Sequence, residues 1–261
     1  SAAIDRDALN EIAFFGQGTA QAYVGFSPVP DFAEEYVDTH IAYDPEAAEA
    51  GLDALGLVDT DGDGFRELPD GERLTLNLQF STQGLPGPVA EFVAQAWTDA
   101  GIQTTVKEVT SDEYRAAQSA NELDVMSWWR GEPLAIALGT NESYVPPYAN
   151  YFGHRMGMKW GEWLDSDGAS GIKPPQWAID MIDDIAALQK AVPGSDAQAA
   201  AGERISRAFA EKIPFIGTVL APSPIIVHDR LKNVPEFNTS SYEYYRTYPY
   251  RATQWFLDGN D

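Results

Sequence analysis

The chain contains no cysteine. That excludes thiol nucleophiles, disulfides and thiolate-bound metals. Basic residues are scarce. Seventeen Lys and Arg stand against 40 Asp and Glu, a formal charge of -23 over 261 residues. Such a surface repels phosphate backbones and anionic headgroups, which excludes nucleic acid and anionic membranes as partners. No run of about 18 apolar residues is present to span a bilayer as a helix. Histidine occurs only at positions 40, 154 and 228, far apart and without metal-ligand spacing. Neither a Gly-x-Ser-x-Gly nucleophile elbow nor a Gly-rich phosphate loop is found.

What is present supports a sizeable core. Hydrophobic residues make up 44% of the chain, and its length fits one large or two ordinary domains. The opening "SAAIDRDALN" lacks the basic and apolar regions of a signal peptide. It reads as the first turns of a helix already inside a domain, as expected for a piece of a longer chain. "YDPEAAEAGLDALGL" is a helix with Asp44 as N-cap, Pro45 in its first turn and Gly56 at its end. "RLTLNLQF" alternates Leu74, Leu76, Leu78 and Phe80 with Thr75, Asn77 and Gln79, which predicts a half-buried strand over 73–80. Val89, Phe92, Val93, Ala96 and Trp97 recur at helical spacing until Gly101. Strands are expected at 102–109 and 123–129, with a short helix between them capped by Ser111. This β-α-β-α-β order predicts an α/β fold with a mixed sheet flanked by helices. Residues 131–175 read as a long irregular segment rich in Gly, Pro and aromatics. Helices follow at about 175–191 and 196–212, then strands in "IPFIGTVLA" and "PIIVHD".

Between the second helix and the first strand lies "DTDGDGFRELPD", residues 59–70, with five acidic side chains in twelve residues. Its spacing matches a calcium loop of the EF-hand kind, whose oxygens come from positions 1, 3, 5, 7, 9 and 12 with Gly at 6. Asp59, Asp61, Asp63, Phe65 (through its carbonyl), Glu67 and Asp70 fall at these positions, and Gly64 falls at position 6. Two features depart from the pattern: Asp70 is one methylene shorter than the usual Glu, and a strand follows where a helix is usual. The other reading is a solvated acidic turn, since Asp-Gly pairs form turns in any case. On either reading the loop is structural, because no nucleophile or base lies near it in sequence.

Taken in order, "AIDRDALNEIAFFGQG", "YDPEAAEAGLDALGL", "DTDGDG", "PVAEFVAQAWTDAGIQTTVKEVTSDEY" and "LDVMSWW" resemble the C-terminal half of family 5 solute-binding proteins of bacterial ABC importers. "IPFIGTVLAPSPIIV" and "LKNVPEF" resemble that family's closing region. The resemblance implies a periplasmic-binding-protein type II lobe over residues 1–220. Residues 221–261 would return to a first lobe, most of which lies outside this chain. It further implies a bacterial, extracytoplasmic (periplasmic or cell-surface) receptor without catalysis. Acting as a monomer, it would close on an oligopeptide or oligosaccharide and deliver it to an ABC permease. Peptide binders of the group carry an Asp shortly after the Trp that ends the strand like "LDVMSWW", whereas here Arg130 and Glu132 follow.

Trp128, Trp129, Arg130, Tyr151 and Phe152 are the candidate ligand contacts. Adjacent strand residues point to opposite faces, so one tryptophan can pack in the core while the other stacks on a sugar or a peptide side chain. The alternative is that both are packing residues. Arg130 can pair with a ligand carboxylate or with one of the many surface acids. Tyr148, Tyr151, Phe152, Trp160 and Trp163 crowd a Pro/Gly-rich segment and are read as a cover. Two other functional classes fit the composition: an acidic glycoside hydrolase with a carboxylate pair, and a calcium-dependent structural module. The second needs tandem copies of the acidic loop, and there is one.

Overall fold

The computed structural model describes residues 1–26, 29–128, 146, 148, 156–221, 226–236 and 251–259. Helix α1 spans Arg6–Phe14, and Asp5 caps it by accepting from Ala8 N at 2.9 Å. Helix α2 spans Pro45–Ala54. Asp44 accepts from Ala47 N at 2.9 Å, and Gly56 turns the chain away with φ of +78°. Both caps satisfy amide groups that the first helical turn leaves without partners.

Strands β2 (Thr75–Phe80) and β3 (Gln103–Glu108) pair in parallel, from Thr75↔Gln103 to Phe80↔Glu108. Parallel neighbours need a crossover, supplied by helix α3 (Gly87–Asp99). Helix α4 (Ser111–Ala120) leaves the end of β3. Its cap is Thr110 rather than the expected Ser111. Thr110 and Glu113 exchange bonds in a reciprocal capping box, which Ser111, one residue later, is out of register to form. Leu78 and Phe80 of β2 are buried with Val89, Ala90 and Val93 of α3 and with Ile4 and Leu9 from the α1 region.

The strand expected at 123–129 does not form over its described part, residues 123–128. The segment still follows the free edge of β2, but side chains make the joins. Asp124 Oδ2 accepts from the Asn77 backbone at 2.9 Å and from its side chain at 2.8 Å, and the Ser127 hydroxyl donates to Gln79 O at 3.4 Å. A carboxylate thus takes the amide that a backbone ladder would have used.

A second core is mostly helical. Helices α5 (Met158–Asp165), α6 (Gln176–Lys190) and α7 (Asp196–Lys212) follow one another. Ala178, Met181, Ile185 and Leu188 form one stripe; Ala201, Ile205 and Phe209 form the facing one. Val24, Phe26 and Ala33 complete the cluster, together with Tyr148 and Met156. The Tyr148 hydroxyl donates to Ala178 O at 2.8 Å, so this residue, read as cover, is core. Tyr36 donates to Glu203 Oε1 at 2.6 Å, and Arg207 grips the same carboxylate.

Among the described residues the strands form three two-stranded sheets. Besides β2–β3 there are antiparallel pairs β1 (Thr19–Ala20) with β4 (Val219–Leu220), and β5 (Leu231–Lys232) with β6 (Phe256–Leu257). The α/β class is as expected. Parallel and antiparallel pairs both occur, in separate sheets. "IPFIGTVLA" pairs only at Val219–Leu220. Ile213 ends α7 in a left-handed conformation, and Phe215 packs edge-on against Tyr23 instead of entering a ladder. In "PIIVHD" the described residues 226–229 are not a strand. They lead into a turn in which Leu231 N donates to His228 O at 2.9 Å.

Arg6 ties the two ends of this arrangement together. It is 3% exposed, and burial lowers its pKa from the usual very high value. Its Nε donates to Gly217 O at 3.0 Å and its Nη1 to Ile41 O at 2.9 Å. Longer bonds reach Ile4 O and Ser1 O, and Nη2 donates to Ser1 Oγ at 2.7 Å. A planar fork of five donors serves carbonyls lying in different directions, which a point-like ammonium cannot. Arg6→Lys is expected to lower stability by about 2–4 kcal/mol, because buried carbonyls lose their donors; equilibrium denaturation checks this. A loss below about 0.5 kcal/mol would remove Arg6 from this role.

The Glu203 clip has a defined pH response. The bonds from Arg207, then from Tyr36, hold its carboxyl below the usual carboxylate range. A pKa depressed by folding contributes stability above the unfolded value and loses it as pH falls through the folded value. Glu203→Gln is therefore expected to flatten the acid limb of the stability–pH curve below about pH 4.5. An unchanged acid limb, measured by urea midpoints at several pH values, would contradict this.

Candidate functional site

The carboxyl ends of β2 and β3 lie side by side, because the two strands are parallel and in register. In open α/β sheets ligands bind outside this edge. The connectivity brings the starts of α3 and α4 to the same edge. Ser81, directly after Phe80, is buried, and its hydroxyl lies 2.9 Å from that of Ser111 in the first turn of α4. Ser81 O accepts from Gly84 N at 2.8 Å and Leu85 N at 2.9 Å, closing the turn into α3. Arg115 donates to Gln83 Oε1 at 3.3 Å across this turn.

Trp128 arrives at the same place. Tyr114, fully buried on α4, donates its hydroxyl to Ser127 O and accepts from Ser127 N, both at 2.9 Å. That clamp sets the indole of Trp128 against the Tyr114 ring, with centroids 5.6 Å apart. On the other side the indole closes on Gly84, where an added Cβ would lie 2.2 Å from Trp128 Cε3. Only glycine permits that approach. Trp128 is thus partly packed. Trp129, Arg130, Tyr151 and Phe152 lie outside the described residues. Sequence reasoning passed over Ser81, Gln83 and Arg115. The signal available for them was their position just beyond the carboxyl ends of strands, or in the first turns of the next helix.

The acidic loop forms a separate feature. Asp59, Asp61, Asp63 and Glu67 each place a carboxylate oxygen within 4.8 Å of the others. Asp59 accepts from Gly62 N at 2.7 Å and Gly64 N at 2.9 Å. The amide of Gly64, then that of Gly62, holds its carboxyl below the usual range. Gly64 has φ of +93°, the turn expected at the sixth position. An antiparallel bridge, Val58↔Glu67, closes the loop.

Asp70 does not join the four. A second bridge, Glu67↔Arg73, folds the chain back after the ninth position. Asp70 is carried to the tip of the next turn, where it accepts from Glu72 N at 3.1 Å. Arg73 comes in instead, pairing with Asp63 and lying 5.3 Å over the Phe65 ring. The strand-like return after the loop, where an EF-hand continues as helix, accounts for the difference.

Comparison with known proteins places this geometry. The family described as bacterial extracellular solute-binding proteins, family 5 Middle, matches residues 1–137. The periplasmic alpha-galactoside-binding protein of Rhizobium meliloti (strain 1021) is 22% identical over 241 residues, which cover 89% of this chain and 33% of that protein. The oligopeptide-binding protein OppA superposes with a TM-score of 0.73 at 22% identity, over 99% of this chain and 42% of OppA. The periplasmic binding protein MelB of Agrobacterium fabrum C58, solved with stachyose, gives a TM-score of 0.69 at 20% identity, over 90% and 34% of the two chains. The chain thus spans 33% of the curated relative and 42% of OppA. The structural likeness gives the fold, that of the type II periplasmic binding proteins. No helix among the described residues is long and apolar enough to cross a membrane. With the family match extending over more than half of its length, the chain belongs to family 5 of the bacterial extracellular solute-binding proteins.

Proposed function

We propose that this chain is the second, C-terminal ligand-binding lobe of a two-lobed receptor. It captures an oligopeptide or an oligosaccharide outside the cytoplasm and delivers it to an ABC permease, without chemistry of its own. The observation that carries the reading is the edge where Ser81, Gln83, Arg115 and Trp128 meet at the carboxyl ends of a parallel strand pair. Gln83 and Arg115 bring an amide and a guanidinium beside the indole of Trp128, the mixture that suits sugar hydroxyls or peptide bonds next to apolar surface.

The end of the chain supports the two-lobed part of the proposal. The last strand paired with the N-terminal region is β4, at Val219–Leu220; beyond it β5 pairs with β6. Near that strand pair Ile226 is 91% exposed, and Phe256 and Leu257 are also exposed. Apolar side chains left in water beside a short strand pair fit a segment that packs against another lobe.

In calorimetry the two-lobed protein is expected to bind either stachyose or short peptides. This chain alone is expected to bind the same solute at least about a hundredfold more weakly, because closure supplies the second half of the contacts. Full-strength binding by the chain alone overturns the two-lobe reading. Steady conversion of the solute overturns the receptor reading. Gly84→Ala tests the site itself. The added methyl has no room against Trp128, so tryptophan emission is expected to shift and affinity to fall about tenfold (~1.4 kcal/mol). Unchanged emission and affinity would take Trp128 out of the site.

A further inference from the structure

We propose that Asp59, Asp61, Asp63 and Glu67 bind one calcium ion, with Glu67 rather than Asp70 as the closing carboxylate. The acidic cluster alone would not support this, because exposed carboxylates stand near one another on many surfaces and these are partly satisfied by amides of their own loop. The decisive group is Glu67. It is 6% exposed. Its Oε2 accepts from Thr60 N and Thr60 Oγ1, both at 2.7 Å. Its Oε1 is shut off from solvent and has no hydrogen-bond partner. A buried carboxylate oxygen without a donor is costly, and here the carboxylate stands among three others.

Among the described residues, neighbouring cations do not neutralise it. Arg73 pairs with Asp63. Arg66 is turned away, bonded to Asp53, Leu57 O and Ala100 O. Four carboxylates therefore face one guanidinium, in a loop closed by a bridge at Glu67 itself. A bound cation supplies both the missing partner for Oε1 and the missing charge.

The donor set selects the ion. All donors are oxygen, which disfavours zinc, whose sites are built mainly from nitrogen and sulfur. Ligands 2.3–2.6 Å from a calcium ion lie at most about 4.6–5.2 Å apart across it. The four oxygens, all within 4.8 Å of one another, fit on that shell. Magnesium, at 2.0–2.1 Å, retains several waters rather than accept a cage of protein oxygens. The register reserves the Phe65 carbonyl as a further donor. The ion would brace the junction of three elements. Arg66, beside Glu67, fastens the end of α2 through Asp53 and Leu57 and the end of α3 through Ala100.

The test uses the protein stripped with chelator, then supplied with calcium or magnesium chloride at equal concentration. Calorimetry is expected to show one calcium site, and saturation to raise Tm by about 5 °C or more. Glu67→Gln keeps the shape and the Thr60 bonds but removes the charge. It is expected to weaken calcium at least tenfold while leaving metal-free stability equal to or above that of the unaltered chain. Asp61→Asn is expected to weaken calcium as well, and Asp70→Asn to leave it unchanged. No calcium-dependent heat and no change in Tm would mean an ordered water or nothing at Oε1, and would overturn the proposal. So would an equal response to magnesium, or calcium binding that survives Glu67→Gln and Asp61→Asn combined. If Glu67→Gln lowered stability equally with and without calcium, Glu67 would be a structural hydrogen-bonding residue and not a ligand.

Discussion

A buried guanidinium organises this chain. Arg6 stands at the start of α1 and reaches carbonyls at Ile41 and Gly217 while holding the segment that leads into its own helix. Charges are seldom placed so deep, because desolvation is expensive unless each donor finds an acceptor. Here the acceptors come from both ends of the chain. Gly217 precedes β4, which pairs with β1, so the fork and the small antiparallel sheet close the same junction. Arg6 and the strand pair together connect the α1–β2–α3 core to the start of the segment that leaves α7.

With that junction closed, each core has a separate task. The β2–α3–β3–α4 unit builds the edge at which Ser81, Ser111 and Trp128 meet, because parallel strands must end side by side and the following helices must begin there. The α6–α7 core, with Tyr23 and Phe215 on its flank, forms its own apolar cluster apart from the one that Leu78 and Phe80 make with α3. On the opposite, amino-terminal side of β2 the acidic loop and Arg66 link α2, β2 and α3. The edge proposed for solute recognition and the acidic loop thus sit at opposite ends of one strand, separated by the length of β2.

Local patterns were legible from the residues alone. Asp44-Pro45 placed the start of α2, the alternation of Leu74 to Phe80 placed β2, and the stripe from Val89 placed α3, each within about two residues. The fold class followed from their order. The third strand depended on a partner distant in sequence. The run "LDVMSWW" has strand composition, yet Asp124 intercepts the Asn77 amide with its side chain over 123–128. Asp59, Asp61, Asp63 and Glu67 stand together in the acidic loop, and Asp70 stands at the next turn. Whether the chain continues outward or folds back after Glu67 is settled by the bridge to Arg73.

The sequence by itself determined the composition-level exclusions, the Asp44 cap of α2, the βαβ order and the positions of Asp59, Asp61, Asp63 and Gly64 in a turn. These depend on side chains within a few residues of one another, where backbone geometry leaves few choices. Tertiary structure alone decided that Arg6 is buried among carbonyls up to 211 residues away, that Gly84 makes room for Trp128, and that Asp70 turns away from the other acids. Burial and the direction of approach are properties of packed neighbours. No periodicity within a segment encodes which distant carbonyl, ring or carboxylate will occupy the space beside it.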